Sequence, residues 1–135
     1  MKTVLTAFVL GLAALPAAAD RGLLPPDPAY KAECGSCHVA YPPKLLPAES
    51  WRQLIGRLER HFGSDASLDA KTQAEIEHTL TANAGRRAAP PGAEPRITQT
   101  RWFLKEHRGE IPPEKNPANC IACHAGAERG NYDDD

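Results

Sequence analysis

Two short stretches of the chain could carry chemistry, "CGSCH" at residues 34–38 and "CIACH" at residues 120–124. Each has two cysteines separated by two residues, and a histidine follows the second cysteine directly. In a c-type haem, two such thiols bond to the vinyl groups and the histidine ligates the iron. The spacing therefore predicts two covalently attached haems, the first held by Cys34, Cys37 and His38, the second by Cys120, Cys123 and His124.

The main alternative for four cysteines in an exported protein is a pair of disulfides. With 5 histidines in 135 residues, a histidine after both Cys-x-x-Cys pairs arises by chance in roughly one sequence in a thousand. A thioredoxin-like motif needs a βαβ context, and no strand-like alternation surrounds "CGSC". Zinc sites usually space their ligands differently. The haem interpretation is therefore preferred.

The sixth iron ligands must come from elsewhere in the chain. Met1 is the only methionine, and it leaves with the predicted signal peptide, so a Met/His haem is excluded. The alternatives are His/His ligation, an unusual nitrogen or oxygen ligand, or an open site. His61, His78 and His107 remain for two distal positions, so the count suits two bis-histidine haems with one histidine to spare.

The N-terminus predicts export. Lys2 precedes a short apolar run, and residues 17–19 form an Ala-x-Ala cleavage pattern. The run is shorter than the ~20 residues of a membrane-spanning helix, so we expect cleavage after Ala19 and a periplasmic, soluble product. The formal net charge of −1, made more negative by haem propionates, argues against a nucleic-acid partner.

Helical patterns indicate how the chain would position the first haem. Asp27 predicts an N-cap before Pro28, in a helix that carries "CGSCH" at its C-terminal end. Residues 47–63 predict an amphipathic helix closed by Gly63. His61, in its last turn, would lie on the flank of the apolar face, which favours a role as distal ligand. The alternative is a histidine that interacts with the helix dipole.

The remaining patterns predict different roles for His78 and His107. Residues 67–83 predict a helix capped by Ser67, with His78 opposite its apolar face and therefore exposed as the surplus histidine. Residues 85–97 are proline-rich and predict a linker. A short helix from about Thr98 to Arg108, ended by Gly109, would then present His107 as the sixth ligand of the second haem. One alternative is that His107 is a charged histidine that caps the C-terminus of its helix. Another is that His61 and His107 each ligate the opposite haem.

Four stretches together resemble the small periplasmic dihaem cytochromes c called DHC: "ECGSCHVAYPPKLLPAESW", "HFGSDASLDA", "RITQTRWFLKEH" and "NPANCIACHAGAERG". The resemblance covers nearly the whole mature chain. It implies a mainly α fold, with an N-terminal domain similar to class I cytochrome c over residues 20–84. A small, irregular or helical C-terminal haem domain would follow over residues 98–135. It also implies low-potential bis-histidine haems that lie close together.

The resemblance further implies that the protein donates electrons to a small oxygen-binding monohaem cytochrome of the SHP type. A membrane b-type cytochrome would supply the electrons. Saturation of both irons by histidine would leave no position for a substrate, so we expect a monomeric electron carrier and not an enzyme. The alternatives are a dihaem subunit of a periplasmic reductase complex, and a haem enzyme or gas sensor with one labile histidine.

Overall fold

The computed structural model describes residues 27–132, so the predicted signal peptide and the acidic end of the chain lie outside the described residues. The α-helices in this part are α1 (Pro28–Cys34), α2 (Ala48–Ile55), α3 (Ala70–Ala82) and α4 (Arg101–Glu106). Short 3-10 helices lie at Pro43–Leu45, Leu58–Arg60, Ile97–Gln99, Cys120–Ala122 and Ala127–Arg129. Residues 27–132 contain no β-strand, which confirms the mainly α class.

Helix α1 begins as its sequence predicts. The Asp27 carboxylate accepts a hydrogen bond from the backbone N–H of Tyr30, at 3.1 Å, and Pro28 occupies the first turn. The hydroxyl of Thr79 donates to the other oxygen of the same carboxylate, so the cap also ties α1 to α3. The helix ends at Cys34, and the rest of the first haem motif forms a turn.

Helix α2 is shorter than the sequence pattern predicts. It ends at Ile55, where the N–H of Gly56 donates to the carbonyl of Arg52 at 2.9 Å. The chain then forms the separate 3-10 helix Leu58–Arg60. The prediction of one helix as far as Gly63 is therefore wrong. Glycine has a low helix propensity, and the bond from Ala66 N–H to the Leu58 carbonyl, 2.9 Å long, turns the chain back.

Helix α3 begins two residues after the predicted cap. Asp69 is the N-cap, and its carboxylate accepts from the N–H groups of Lys71 and Thr72, both at 3.1 Å. Ser67 instead donates its own N–H to Asp65, at 2.9 Å, in the turn that precedes the helix. The predicted cap at Ser67 is therefore wrong.

The core lies between α1, α2 and α3. Its buried members are Tyr30, Ala40, Leu46, Trp51, Ile55, Leu58, Ile76 and Leu80. The indole N–H of Trp51 donates to the carbonyl of Pro43 at 2.8 Å, so this buried polar group is satisfied. The apolar faces predicted for α2 and α3 therefore meet each other, as their periodicity requires.

The proline-rich segment 85–97 packs on this core. The N–H of Gly85 donates to the carbonyl of Leu46 at 2.9 Å. A Cβ at position 85 would lie 2.1 Å from the Lys44 carbonyl oxygen, so only glycine allows this approach. At the other end of the segment, Ile97 packs against the core cluster. The segment predicted as a linker is thus attached to the N-terminal part at both ends.

The last α-helix is also shorter than predicted. Residues Ile97–Gln99 form a 3-10 helix, and α4 starts after Thr100, whose hydroxyl accepts from the N–H of Phe103 at 3.3 Å. The predicted single helix from Thr98 to Arg108 is therefore wrong, because Thr100 caps a new helix within it. Within residues 27–132, no helix has the length and apolar character needed to cross a membrane.

Candidate haem centres

The structure places His38 of the first motif opposite His61. Their ring centres are 6.1 Å apart and their planes differ by 23°. Two imidazoles bound to opposite sides of one metal ion, with metal–nitrogen bonds of about 2.0 Å, have ring centres about 6.3 Å apart. The separation of His38 and His61 therefore fits one iron between them.

His38 is oriented by its neighbours. Its Nδ1–H donates to the carbonyl of Val39 at 2.8 Å, which leaves the Nε2 lone pair available for a metal. On one side the ring stacks on Tyr41, with centres 4.8 Å apart and an angle of 24°. A backbone carbonyl and an aromatic ring thus fix the tautomer and the direction of this imidazole.

His61 is held by an irregular turn and not by a helix. It directly follows the 3-10 helix Leu58–Arg60, and the next two residues have left-handed backbones, with φ of 50° at Phe62 and 95° at Gly63. A left-handed backbone is unfavourable for phenylalanine. The Arg96 guanidinium lies 4.2 Å from the centre of the Phe62 ring, and Arg57 donates to the Ala93 carbonyl at 3.2 Å. Residues 93–96 therefore fasten the turn that carries His61.

The surroundings of His61 favour its neutral form. Burial lowers the pKa of its imidazole, the nearby His38 lowers it further, and Glu94 offsets part of this effect. Iron binds the neutral imidazole, so a lowered pKa suits a ligand. The Nδ1 atom of His61 is buried without a hydrogen-bond partner among the described residues.

The second motif has a matching pair. The ring centres of His107 and His124 are also 6.1 Å apart, but their planes are perpendicular, at 90°. The Nδ1–H of His107 donates to the Phe103 carbonyl at 3.0 Å, and its ring stacks on Phe103 with centres 4.0 Å apart. His107 is the C-cap residue of α4, so the end of this helix positions it.

The attachment cysteines have the same arrangement in both motifs. Cys34 and Cys120 are half-buried, whereas Cys37 and Cys123 are exposed, and none of the four forms a disulfide. In the second motif the N–H of His124 donates to the Cys120 carbonyl at 2.8 Å, which folds the histidine back toward the first cysteine. This tight turn keeps the backbone of His124 close to that of Cys120.

Two buried hydrogen-bond donors lie near the pair formed by His107 and His124. The indole N–H of Trp102 and the hydroxyl of Tyr132 are buried without hydrogen-bond partners among the described residues. Arg87 lies over the Trp102 ring, 4.6 Å from its centre, and the Tyr132 ring lies 5.7 Å from that of His124. Haem propionates are acceptors that could satisfy such groups, so this neighbourhood also fits a haem.

Comparison with known proteins identifies the family of this chain. The family model of dihaem cytochromes c matches residues 30–132, which include both motifs and both histidine pairs. The chain belongs to this family. The dihaem cytochromes c are electron-transfer proteins, and two haem c groups are the cofactors of this chain.

Solved structures of the family resemble the fold described above. DHC purified from Rhodobacter sphaeroides is 44% identical over 79% of this chain and 97% of that chain, with a TM-score of 0.71. A second structure, of the dihaem cytochrome c from Rhodobacter sphaeroides, is 41% identical over the same shares, with a TM-score of 0.72. The dihaem cytochrome from Shewanella baltica OS155 is 41% identical over 82% of this chain and 89% of that chain, with a TM-score of 0.68. Among curated proteins no match is found.

The structure brings His38 together with His61 and His107 together with His124, while His78 is exposed on α3. Sequence reasoning pairs Phe103 with His107 but misses three other supporting residues, Tyr41, Arg96 and Tyr132. A signal for Phe103 was present, because it precedes His107 by four positions in a helix. Tyr41 and Arg96 act across folded segments, so no local pattern could identify them.

Proposed function

We propose that this dihaem cytochrome c carries electrons through two bis-histidine haems. His38 and His61 would ligate the haem bound by Cys34 and Cys37. His107 and His124 would ligate the haem bound by Cys120 and Cys123. The observation that carries the proposal is the 6.1 Å separation of ring centres in both pairs. Each distal histidine thereby serves the haem of its own pair.

Ligation of both irons by two histidines explains why the protein would carry electrons and would not act on a bound substrate. A haem with two histidines exchanges one electron and presents no open position to a substrate. Two imidazoles also give a lower reduction potential than a Met/His pair. Residues of the chain orient these imidazoles and tune one of them: the Val39 and Phe103 carbonyls accept from the Nδ1–H groups of His38 and His107, and burial lowers the pKa of His61.

The proposed setting follows from the exported sequence and the family resemblance. We place the protein in the periplasm as a soluble monomer after removal of residues 1–19. The proposed acceptor is a small oxygen-binding monohaem cytochrome of the SHP type, and the proposed donor is a membrane b-type cytochrome. Such partners dock transiently, through small interfaces near exposed haem edges.

We also propose that residues 20–84 and 98–135 form two haem lobes joined by residues 85–97. Contacts between the segments support close packing of the lobes. The hydroxyl of Tyr41 in the first lobe donates to the Ala118 carbonyl of the second at 2.7 Å. Ile97, the last residue of the joining segment, packs against the N-terminal core. The lobes would thus hold the two haems in a fixed relationship.

Absorption spectra of the purified protein test the ligation. We expect two low-spin haems in the oxidised protein and no change when carbon monoxide is added to the reduced protein. His107→Ala should open only the haem bound by Cys120 and Cys123, which then binds carbon monoxide. His61→Ala should open only the haem bound by Cys34 and Cys37.

His78→Ala is the matched control, because His78 is exposed on α3 and should leave both spectra unchanged. A high-spin haem or carbon monoxide binding in the wild-type protein would contradict the electron-carrier proposal and favour a gas sensor or enzyme. Opening of the first haem by His107→Ala would show that the distal ligands are exchanged between the centres.

A further inference from the structure

One side chain contacts elements of both haem centres. The ring of Tyr41 stacks on the imidazole of His38, with centres 4.8 Å apart and planes 24° apart. Its hydroxyl donates a 2.7 Å hydrogen bond to the carbonyl of Ala118, two residues before the attachment residue Cys120. A contact that spans 77 positions in the chain therefore links the proximal ligand of one haem to the attachment loop of the other.

Tyr41 is itself held firmly. The hydroxyl of Tyr30 donates to the backbone carbonyl of Tyr41, and Tyr30 is only 3% exposed. Tyr30 lies in α1, which leads directly into Cys34. Tyr41 is thus attached to the first haem motif twice, by the stacking of its ring on His38 and by the bond from Tyr30 to its backbone.

We propose that Tyr41 is the positioning residue that couples the two haems. It would fix the loop before Cys120 against the His38 side of the first centre and thereby set the spacing and orientation of the haems. Electron tunnelling weakens steeply with distance and passes better through packed atoms than through a gap. The stacked ring and the hydrogen bond supply packed atoms between the centres.

The electron-transfer step leaves Tyr41 chemically unchanged. One electron passes between the two irons, so one is oxidised as the other is reduced. Tyr41 keeps its hydroxyl proton and is neither oxidised nor reduced. The inference rests on the proposed ligation of the first haem by His38, but it concerns the coupling between haems and not the ligation itself.

Electron exchange between the haems in half-reduced protein tests the proposal. The exchange rate is obtained from the paramagnetically shifted haem methyl resonances in NMR spectra. Tyr41→Phe keeps the stacked ring and removes the hydrogen bond, and we expect it to slow exchange several-fold while both haems stay low-spin. Tyr41→Leu removes the ring as well and should slow exchange further.

Thr81→Val is the control, since it also removes one hydroxyl bond to a carbonyl, that of Glu77 within α3, and makes no contact with Tyr41. A wild-type exchange rate in Tyr41→Phe would overturn the proposal, as would an equal slowing by Thr81→Val. If Tyr41→Leu fails to retain both haems, the Phe variant alone decides. High-spin haem in the wild-type protein would instead contradict the proposed ligation, so the two failures are distinguishable.

Discussion

The imidazoles of His107 and His124 are perpendicular, at 90°, with ring centres 6.1 Å apart. The rings of His38 and His61 have the same separation but differ by only 23° in plane. Each axial imidazole raises the energy of one of two iron d orbitals. Near-parallel rings act on the same orbital and separate the two energies, whereas perpendicular rings act on one orbital each and leave the energies nearly equal.

The ring angles predict two different electron paramagnetic resonance signals from the oxidised protein. The first haem should give a rhombic low-spin signal. The second should give a strongly anisotropic low-spin signal with a larger maximum g value, because nearly equal orbital energies preserve orbital angular momentum. Spectra recorded at liquid-helium temperature check this expectation. Two rhombic signals of the same kind would contradict the perpendicular arrangement of His107 and His124.

Arg96 should keep the distal ligand of the first haem in place, since its guanidinium lies over Phe62 beside His61. An exposed cation–aromatic contact contributes about 0.5–1 kcal/mol. Arg96→Ala should lower the free energy of unfolding by about that amount. It should also allow slow carbon monoxide binding at the first haem, as the His61 turn loosens.

Two variants control for this effect. Arg96→Lys retains a cation and should restore most of the resistance to carbon monoxide, although lysine stacks less well than arginine. Arg52→Ala removes an exposed arginine of α2 and should behave as the wild type does. If Arg96→Ala and Arg52→Ala bind carbon monoxide at the same rate, Arg96 does not hold the His61 turn.

Asp27 should make stability depend on pH in the acid range. The Thr79 hydroxyl and then the Tyr30 backbone N–H hold the pKa of this carboxyl below its ordinary value. A lowered folded-state pKa stabilises the protein above the unfolded-state pKa, and the effect is lost as pH falls through the folded-state value. Asp27→Ala should cost about 1 kcal/mol at neutral pH through loss of the cap.

The difference in unfolding free energy between wild type and Asp27→Ala should shrink below about pH 4, near the ordinary pKa of aspartate. Chemical denaturation at several pH values measures it. Asp27→Asn retains an oxygen acceptor for the cap without a titrating charge, so its difference from Asp27→Ala should vary little with pH. A constant difference between wild type and Asp27→Ala down to pH 2 would refute the assignment.

The C-terminal lobe should not fold alone. A fragment from Arg96 to the end has about 40 residues, too few to bury a haem by themselves. It would also lose the Tyr41 bond to Ala118 and the burial of Ile97 on the core. We expect the haem-bearing fragment to lose its low-spin spectrum when it is separated. A fragment with a native-like spectrum would show that the lobe is independent.

Local signals in the sequence determined part of the fold. Asp27 followed by Pro28 defined the start of α1, and the spacing of Ile76 and Leu80 identified the buried face of α3. Helix lengths were predicted less well. Asp65 satisfies the N–H of Ser67, so the cap of α3 moves to Asp69. The periodicity of apolar residues does not show which of several nearby polar side chains will cap the helix by accepting hydrogen bonds from its first N–H groups.

The sequence by itself determined the chemistry of this protein. The two Cys-x-x-Cys-His motifs predict haem attachment, and the lack of any methionine after Met1 makes His61, His78 and His107 the candidate distal ligands, because haem attachment and ligation depend on residue type and short spacing. The tertiary structure decided which rings face each other. His61 lies opposite His38 because the chain leaves the helix at Gly56, whereas the sequence pattern predicted an unbroken helix through His61.

Tertiary structure alone also decided the relationship between the two centres. Tyr41 meets Ala118 across 77 positions, and Arg96 meets Phe62 from the far end of the proline-rich segment. Such contacts depend on how the chain packs as a whole, because close approach of distant segments follows from the shared burial of many side chains. The distances between the paired histidines, and the angles of their rings, are set by that packing.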